Sequence, residues 1–136
     1  MTSRQAKLTG LIAQSALYIA GGVNHFWHSS FYVAIMPTHY LHPLALVYLS
    51  GAAEVLCGMG LLLPATRRFA SWSIFVMLLV FYDVHVHMVI HPERFPGLPA
   101  WALYARLLFQ LVLLYWAWFY TRSRALQVKD GSEEIV

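Results

Sequence analysis

The stretch from His42 to Leu63, HPLALVYLSGAAEVLCGMGLLL, decides the fold, because Glu54 is its only Asp, Glu, Lys or Arg. A helix needs roughly 20 predominantly apolar residues to cross the hydrocarbon core of a bilayer. Three more apolar stretches of comparable length lie at about Leu8–Trp27, Phe69–Ile90 and Pro99–Thr121. We therefore expect an all-α membrane protein whose single domain, residues 1–124, is a four-transmembrane-helix bundle. No clear cleavage site follows the first stretch, so we interpret it as a retained span rather than a signal peptide.

The composition agrees with this interpretation. The chain has 136 residues, of which 60% are hydrophobic and only 11% are charged, whereas a soluble domain of this length needs a more charged surface. The basic residues form short clusters at the ends of apolar runs, which is not the footprint of a nucleic-acid-binding protein. The lone Cys57 allows no intrachain disulfide. The lipid bilayer is therefore the first partner that the sequence predicts.

The distribution of Lys and Arg predicts the orientation of the helices. Basic residues precede the first span, separate the second from the third, and follow the fourth, whereas the other two loops carry only Arg94. By the positive-inside rule, both termini and the 64–68 turn are cytoplasmic. We expect residues 125–136 to form a polar, disordered cytoplasmic tail. The aromatic segment His28–Leu41, broken by Pro37, is too short to cross and is expected to lie in the outer interface or to fold down as a lid.

Polar side chains inside the predicted spans are the candidate functional residues, because an ionisable group in hydrocarbon costs a few kcal/mol on insertion scales. Counting helical rise places all of them in the middle or outer half of the bilayer. Small residues lie in the helical rows of Glu54 and Asn24, among them Ala16 and Ala20, and allow close helix approach on an inward face. We expect a bundle with an outward-opening polar cavity. The residues are Asn24, His25, Glu54, Asp83, His85, His87, Arg106 and Gln110.

The residue types leave several roles open. A structural ion pair of Arg106 with Glu54 or Asp83 would neutralise buried charge. Asn24 and Gln110 suit interhelical hydrogen bonds, and together with Arg106 they are the candidate ligand-binding residues. His85, two residues from His87, is expected to point away from it, toward the interface.

His25, Glu54 and His87 are the sharpest candidates, and Asp83 shares a helix face with His87. These four residues form the candidate catalytic set, because a histidine and an acid on one face can relay protons to a quinone or another small molecule. His25, Glu54 and His87 are also a candidate metal-ligand set, since imidazole and carboxylate bind zinc, iron or copper. Two histidines on different helices can bracket a haem. The cofactor therefore stays open between a quinone, a metal ion and none.

Several strings resemble the DoxX-like family of small membrane proteins, over nearly all of residues 8–122. They are GVNHF at 22–26, FY at 31–32, IMP at 35–37, PLALVYLSG at 43–51 with Glu54, PATRR at 64–68, His87 with Met88, and Arg106 with Gln110. The resemblance implies a four-helix bundle in the bacterial inner membrane. The family takes its name from a subunit associated with a quinone-linked thiosulfate oxidation system, whereas related animal proteins look like receptors or assembly chaperones.

One segment departs from the pattern of this family. Where the family reads approximately Phe-Pro-Ala-Asn, the chain reads Tyr82-Asp83-Val84-His85, so the proline that would kink the third span is replaced by additional polar groups. Two function hypotheses follow. The first is a subunit of a quinone-linked oxidoreductase, which needs a redox partner because no flavin fingerprint or CxxC pair occurs. The second is a non-catalytic binding or assembly protein, and a homodimer is compatible with either.

Overall fold

The computed structural model describes residues 3–122, and all regular structure within that range is helical. The predicted tail, residues 125–136, lies outside the described residues. A 3-10 turn at Pro92–Arg94 connects the last two helices. The helices are α1 (Ser3–Trp27), α2 (Ser29–Ile35), α3 (Pro43–Leu62), α4 (Arg67–Ile90) and α5 (Ala100–Arg122).

The four long helices occupy the four apolar stretches that the sequence predicts. Three of them, α3, α4 and α5, are long and apolar enough to cross a membrane. α1 has 25 residues but is not among these three, because residues such as Gln14, Ser15 and Asn24 dilute its apolar character. The structure thus supports a helical membrane protein with three candidate spans.

α1 and α3 form the most closely packed helix pair of the bundle. They run antiparallel, and glycines let their backbones approach. A Cβ atom on Gly22 would lie 2.5 Å from the Gly51 carbonyl oxygen, and one on Gly58 would lie 3.0 Å from the Ser15 carbonyl oxygen. The Ser15 hydroxyl donates a hydrogen bond of 2.6 Å to the Gly58 carbonyl. Small residues are the usual means of close helix packing in membranes.

α4 and α5 form the second closely packed pair. An apolar core joins both pairs near the α3–α4 turn, and it includes Leu11, Leu61, Ile74 and Leu113. At this turn end, the Tyr120 hydroxyl donates to the Lys7 carbonyl at 2.7 Å and ties α5 to α1. At the opposite end, which we call the α2 end, Ile35 of α2 is buried with Met88 of α4 and Leu103 of α5.

The segment 28–41 forms α2 and a turn that fold over the α2 end of the bundle. α2 packs on α1 and α3, and the side chain of Pro37 is fully buried. The chain enters α3 through His42, whose φ of 57° lies in the left-handed region that few non-glycine residues adopt. This backbone conformation turns the chain sharply into α3. Of the two arrangements predicted for this segment, an interfacial segment and a lid, the structure therefore matches a lid over the helices.

Candidate functional site

A cavity of about 830 Å³ lies between the α1/α3 pair and the α4/α5 pair, below α2. This volume is typical of small-molecule pockets, which are mostly apolar with a few convergent polar groups. Most of its lining is aliphatic or aromatic. The polar lining comprises Tyr18, His25, Tyr32, Tyr40, Ser50, Glu54, Cys57, Ser73, His85, Arg106 and Gln110.

His25 of α1 and Glu54 of α3 form the most deeply buried ionisable pair of this lining. Each residue is only 7% exposed, and His25 Nδ1 lies 3.4 Å from Glu54 Oε2. His25 Nδ1 also lies 2.8 Å from the Gly21 carbonyl oxygen, one turn earlier. A carbonyl only accepts, so Nδ1 carries a proton, and Nε2 is an acceptor when the ring is neutral.

The His25 ring is held by a polar network that reaches α2. Tyr32 stacks on it, with ring centroids 3.8 Å apart. The Asn24 amide donates to the Tyr32 hydroxyl at 2.8 Å, and His28 Nδ1 donates to Asn24 Oδ1 at 2.7 Å. Since Tyr32 accepts from Asn24, its own proton remains available to a ligand. Asn24 therefore positions the site from outside the cavity.

His85 and Arg106 complete the polar end from the second helix pair. His85 Nδ1 lies 2.9 Å from the Phe81 carbonyl, so this ring also presents Nε2 as an acceptor. The Arg106 guanidinium lies 5.8 Å from the centroid of the Phe31 ring, within cation–π range. We call His25, Tyr32, Glu54, His85 and Arg106 the cavity cluster.

Two sequence-based expectations for this region have different outcomes. The expected ion pair of Arg106 is not formed, because between residues 3 and 122 neither Glu54 nor Asp83 lies in salt-bridge contact with it. Arg106 is instead half-buried at the cavity wall, under Phe31. The expected interhelical bond of Gln110 is confirmed, since its amide donates to the Leu78 carbonyl at 2.8 Å.

Unpartnered polar atoms lie in one column below the cluster. Glu54 Oε2, the Tyr18 hydroxyl and both amide atoms of Gln14 are buried without a hydrogen bond of standard geometry to a described residue. Gln14 and Tyr18, one helical turn apart, interact only weakly with each other. Such groups in native proteins usually bind internal water or a ligand. The column therefore marks where polar atoms of a bound molecule or water would be stabilised.

Asp83 and His87 belong to a second group at the surface, which meets the cavity lining at Tyr40. Asp83 Oδ2 accepts a 2.9 Å hydrogen bond from the Tyr40 hydroxyl and lies 3.2 Å from His39 Nε2. Arg94 Nη1 lies 3.2 Å from His87 Nε2. Burial, and then the hydrogen bond and negative charge of Asp83, raise the pKa of Tyr40. We call His39, Tyr40, Asp83, His87, His91, Glu93 and Arg94 the outer cluster.

The candidate catalytic and metal sets are therefore divided between two places. His25 and Glu54 come together, whereas Asp83 and His87 lie in the outer cluster. In the part of the chain that the structure describes, no three His, Cys, Asp or Glu side chains are grouped to hold a metal ion. The ligand set of His25, Glu54 and His87 is not assembled, because His87 extends toward Arg94 on the far side of its helix.

The candidate functional residues predicted from the sequence did not include Gln14, Tyr18 or Tyr32, and His85 was expected to point toward the interface. Gln14, Tyr18, Gly21 and His25 follow a four-three-four spacing, which places them on one helix face. That spacing was the available signal for α1. His85 lies two positions after Asp83 on the same helix, so the exposure of Asp83 implies that His85 points inward.

The comparison with known families gives one match. Residues 14–121 match the profile described as "Domain of unknown function (DUF8561)". The chain belongs to this family. The matched range contains every residue of the cavity cluster and the outer cluster. No curated protein and no solved structure matches the chain.

Proposed function

We propose that the chain is a four-span membrane protein, with both termini cytoplasmic, that binds a small molecule within the bilayer. The observation that carries the proposal is the 830 Å³ cavity, in which buried polar groups from α1, α3, α4 and α5 converge inside a mostly apolar wall. Pockets of this composition and size usually bind small molecules. The paired acceptors His25 Nε2 and His85 Nε2 and the donors Tyr32 and Arg106 would orient the ligand.

The packing of α1 supports its assignment as the fourth span. It pairs closely with α3, one of the three candidate spans, and its polar side chains Gln14, Ser15 and His25 are buried. Apolar side chains, among them Leu8 and Ile12, are exposed elsewhere on this helix. A helix with this distribution is suited to lipid on its outer face. Fusion of a reporter to the C-terminus tests the proposed cytoplasmic location.

A fuller form of the proposal is a subunit of a quinone-linked oxidoreductase in the bacterial inner membrane. It draws on the resemblance to the DoxX-like family and on His25 and Glu54, which can exchange protons beside a bound ring. Electrons would come from a partner subunit. Asp83 and His87, in the outer cluster, take no part in this version. A non-catalytic binding or assembly protein is the alternative form.

The test is direct binding of a benzoquinone with a decyl side chain to the full chain in lipid nanodiscs. Trp72 lines the cavity, so quenching of tryptophan fluorescence reports occupancy. We expect saturable binding that weakens roughly tenfold or more in Glu54→Leu and His25→Phe, because buried polar contacts orient ligands in such sites. The matched outer-cluster variant His87→Phe should stay close to wild type. Absence of saturable binding to the wild type would refute the proposal.

A further inference from the structure

The wall of the cavity is open on one side, between α3 and α4. Three residues that line it there, Leu49, Val76 and Val80, are 67%, 55% and 55% exposed. The Cys57 and Ser73 side chains face each other across the same boundary. Leu49 and Val80 each lie about two turns from this pair toward the α2 end, so they stand at a similar level. The opening is therefore formed by both helices.

This opening faces hydrocarbon rather than water. α3 and α4 are both candidate membrane spans, and the exposed residues at the opening lie in the interior of these helices. Apolar side chains such as Trp72 and Phe69 continue the cavity wall along α4 toward the turn end. A ligand leaving by this route would therefore pass directly into the lipid phase.

The cavity changes from apolar to polar with depth. The opening carries Leu49, Val76 and Val80, whereas Gln110, Tyr18 and Glu54 in the polar lining are 3%, 4% and 7% exposed. An amphiphile matches this gradient because its head requires hydrogen bonds and its chain does not. A volume of about 830 Å³ suits one ligand of the usual small-molecule size. Such a ligand is smaller than a two-chain phospholipid.

The charges of the lining restrict the head group. Arg106 and Glu54 both line the cavity, and neither is neutralised by the other. A cationic head would meet the Arg106 guanidinium, which lies half-buried at the cavity wall. A compact head that is not cationic and that both donates and accepts hydrogen bonds suits Arg106, the Glu54 carboxyl and the two imidazoles.

We propose that the cavity takes a single-chain amphiphile directly from the bilayer, through the gap between α3 and α4. Its head, which is not cationic, lies at the cavity cluster, and its chain lies along Val76 and Trp72 of α4. This inference rests on the proposed function, and it adds the ligand class, the route and the orientation.

The route is tested by narrowing the opening. In lipid nanodiscs, the association rate of the decyl benzoquinone is compared between wild type, Val80→Phe and the control Val112→Phe. Val112 is 58% exposed on α5 and does not line the cavity. We expect Val80→Phe to slow association about tenfold, because a narrowed route lowers the rate of productive encounter, and Val112→Phe to change it less than twofold. Both side chains are exposed, so thermal unfolding should verify that both variants fold.

Each outcome decides a separate point. No saturable binding to wild type refutes the proposed function itself. Wild-type binding with equal rates in Val80→Phe and Val112→Phe refutes only the route between α3 and α4. A benzoquinone with a diazirine at the end of its chain should cross-link to residues 69–76, and cross-links on α2 or α5 would refute the orientation. Competition by decylamine, whose head is cationic, as strong as that by the uncharged decyl alcohol would refute this choice of head.

Discussion

The cavity cluster and the outer cluster contain similar residues in different environments. Both combine histidine, tyrosine, a carboxylate and arginine, and both lie toward the α2 end of the bundle. In the cavity cluster, the side chains of His25 and Glu54 are each 9% exposed, whereas those of His39 and Asp83 are 64% and 47% exposed. Residue type alone therefore does not identify the site; burial does, because a polar group removed from water needs a compensating partner.

The two clusters also differ in how their members are held. His25 and Glu54 sit on two helices whose backbones nearly touch at Gly22 and Gly51. Members of the outer cluster are held by a turn, a 3-10 segment and the end of α4, where water competes for each hydrogen bond. We therefore expect mutations near the cavity to affect stability and binding, and mutations in the outer cluster to affect local geometry.

The largest predicted effect concerns the packing below the cavity cluster. Gly22→Ala places a Cβ 2.5 Å from the Gly51 carbonyl oxygen and 2.9 Å from the Val55 backbone nitrogen. Neither backbone atom can move alone, so we expect the free energy of unfolding to fall by about 2 kcal/mol. Gly97→Ala, in the loop beside the outer cluster, is the control, because its Cβ would meet nothing within 4 Å. Unfolding in mixed micelles measures both.

Equal stability of these two variants would contradict the proposed comparison, since it would mean that α1 and α3 separate without cost. A loss of quinone binding in Gly22→Ala that exceeds its loss of stability is also expected. His25 follows Gly22 by less than one turn, and a displaced α1 would move its ring away from Glu54.

A smaller effect is predicted for Gln14, in the column of unpartnered atoms. Its amide is fully buried and makes no hydrogen bond of standard geometry, so Gln14→Leu removes an unpaired polar group of similar size. We expect the free energy of unfolding to rise by about 1 kcal/mol. Ser15→Ala is the neighbouring control and should be destabilising, because it removes the 2.6 Å bond to Gly58. A destabilising Gln14→Leu would instead indicate that internal water satisfies the amide.

The helices were predictable from the sequence because the length of each apolar stretch and the residues that end it determine them. The predicted stretch His42–Leu63 differs from α3 by one residue at each end, and Phe69–Ile90 agrees with α4 at its C-terminal end. The first predicted span begins five residues after α1 does, since polar residues at its start hide the helix. Hydropathy identifies α3, α4 and α5 as candidate membrane spans, whereas α1 is not among them.

The site was less predictable because helix rotation determines it. Glu54 and His25 were assigned inward correctly, since each lies on a face with small residues that pack on another helix. The small stripe of Ala16 and Ala20 was interpreted as inward-facing, but both residues are exposed, and the buried face passes through Gln14 and Tyr18. For α4, the i,i+4 pair of Asp83 and His87 correctly predicted a shared face. That this face points to the surface is seen from the contact of Asp83 with the turn that carries Tyr40. The local sequence pattern does not determine this direction.

The smallest predicted effect sharpens the comparison from the side of the outer cluster. Burial and Asp83 raise the pKa of Tyr40 above its usual value of about 10, so the folded protein retains the phenol proton longer than the unfolded chain does. The stability from this contact is fully present below pH 10 or so and is lost as the pH rises through the folded pKa.

In Asp83→Asn, we expect the pKa of Tyr40 to fall part of the way back, because the burial contribution remains. Titration of ζ-¹³C-tyrosine by NMR, assigned with Tyr40→Phe, measures it. Glu93→Gln is the control, since Glu93 contacts His91 rather than Tyr40, and an equal change in both variants would show that general surface charge, not the hydrogen bond to Asp83, holds the Tyr40 proton.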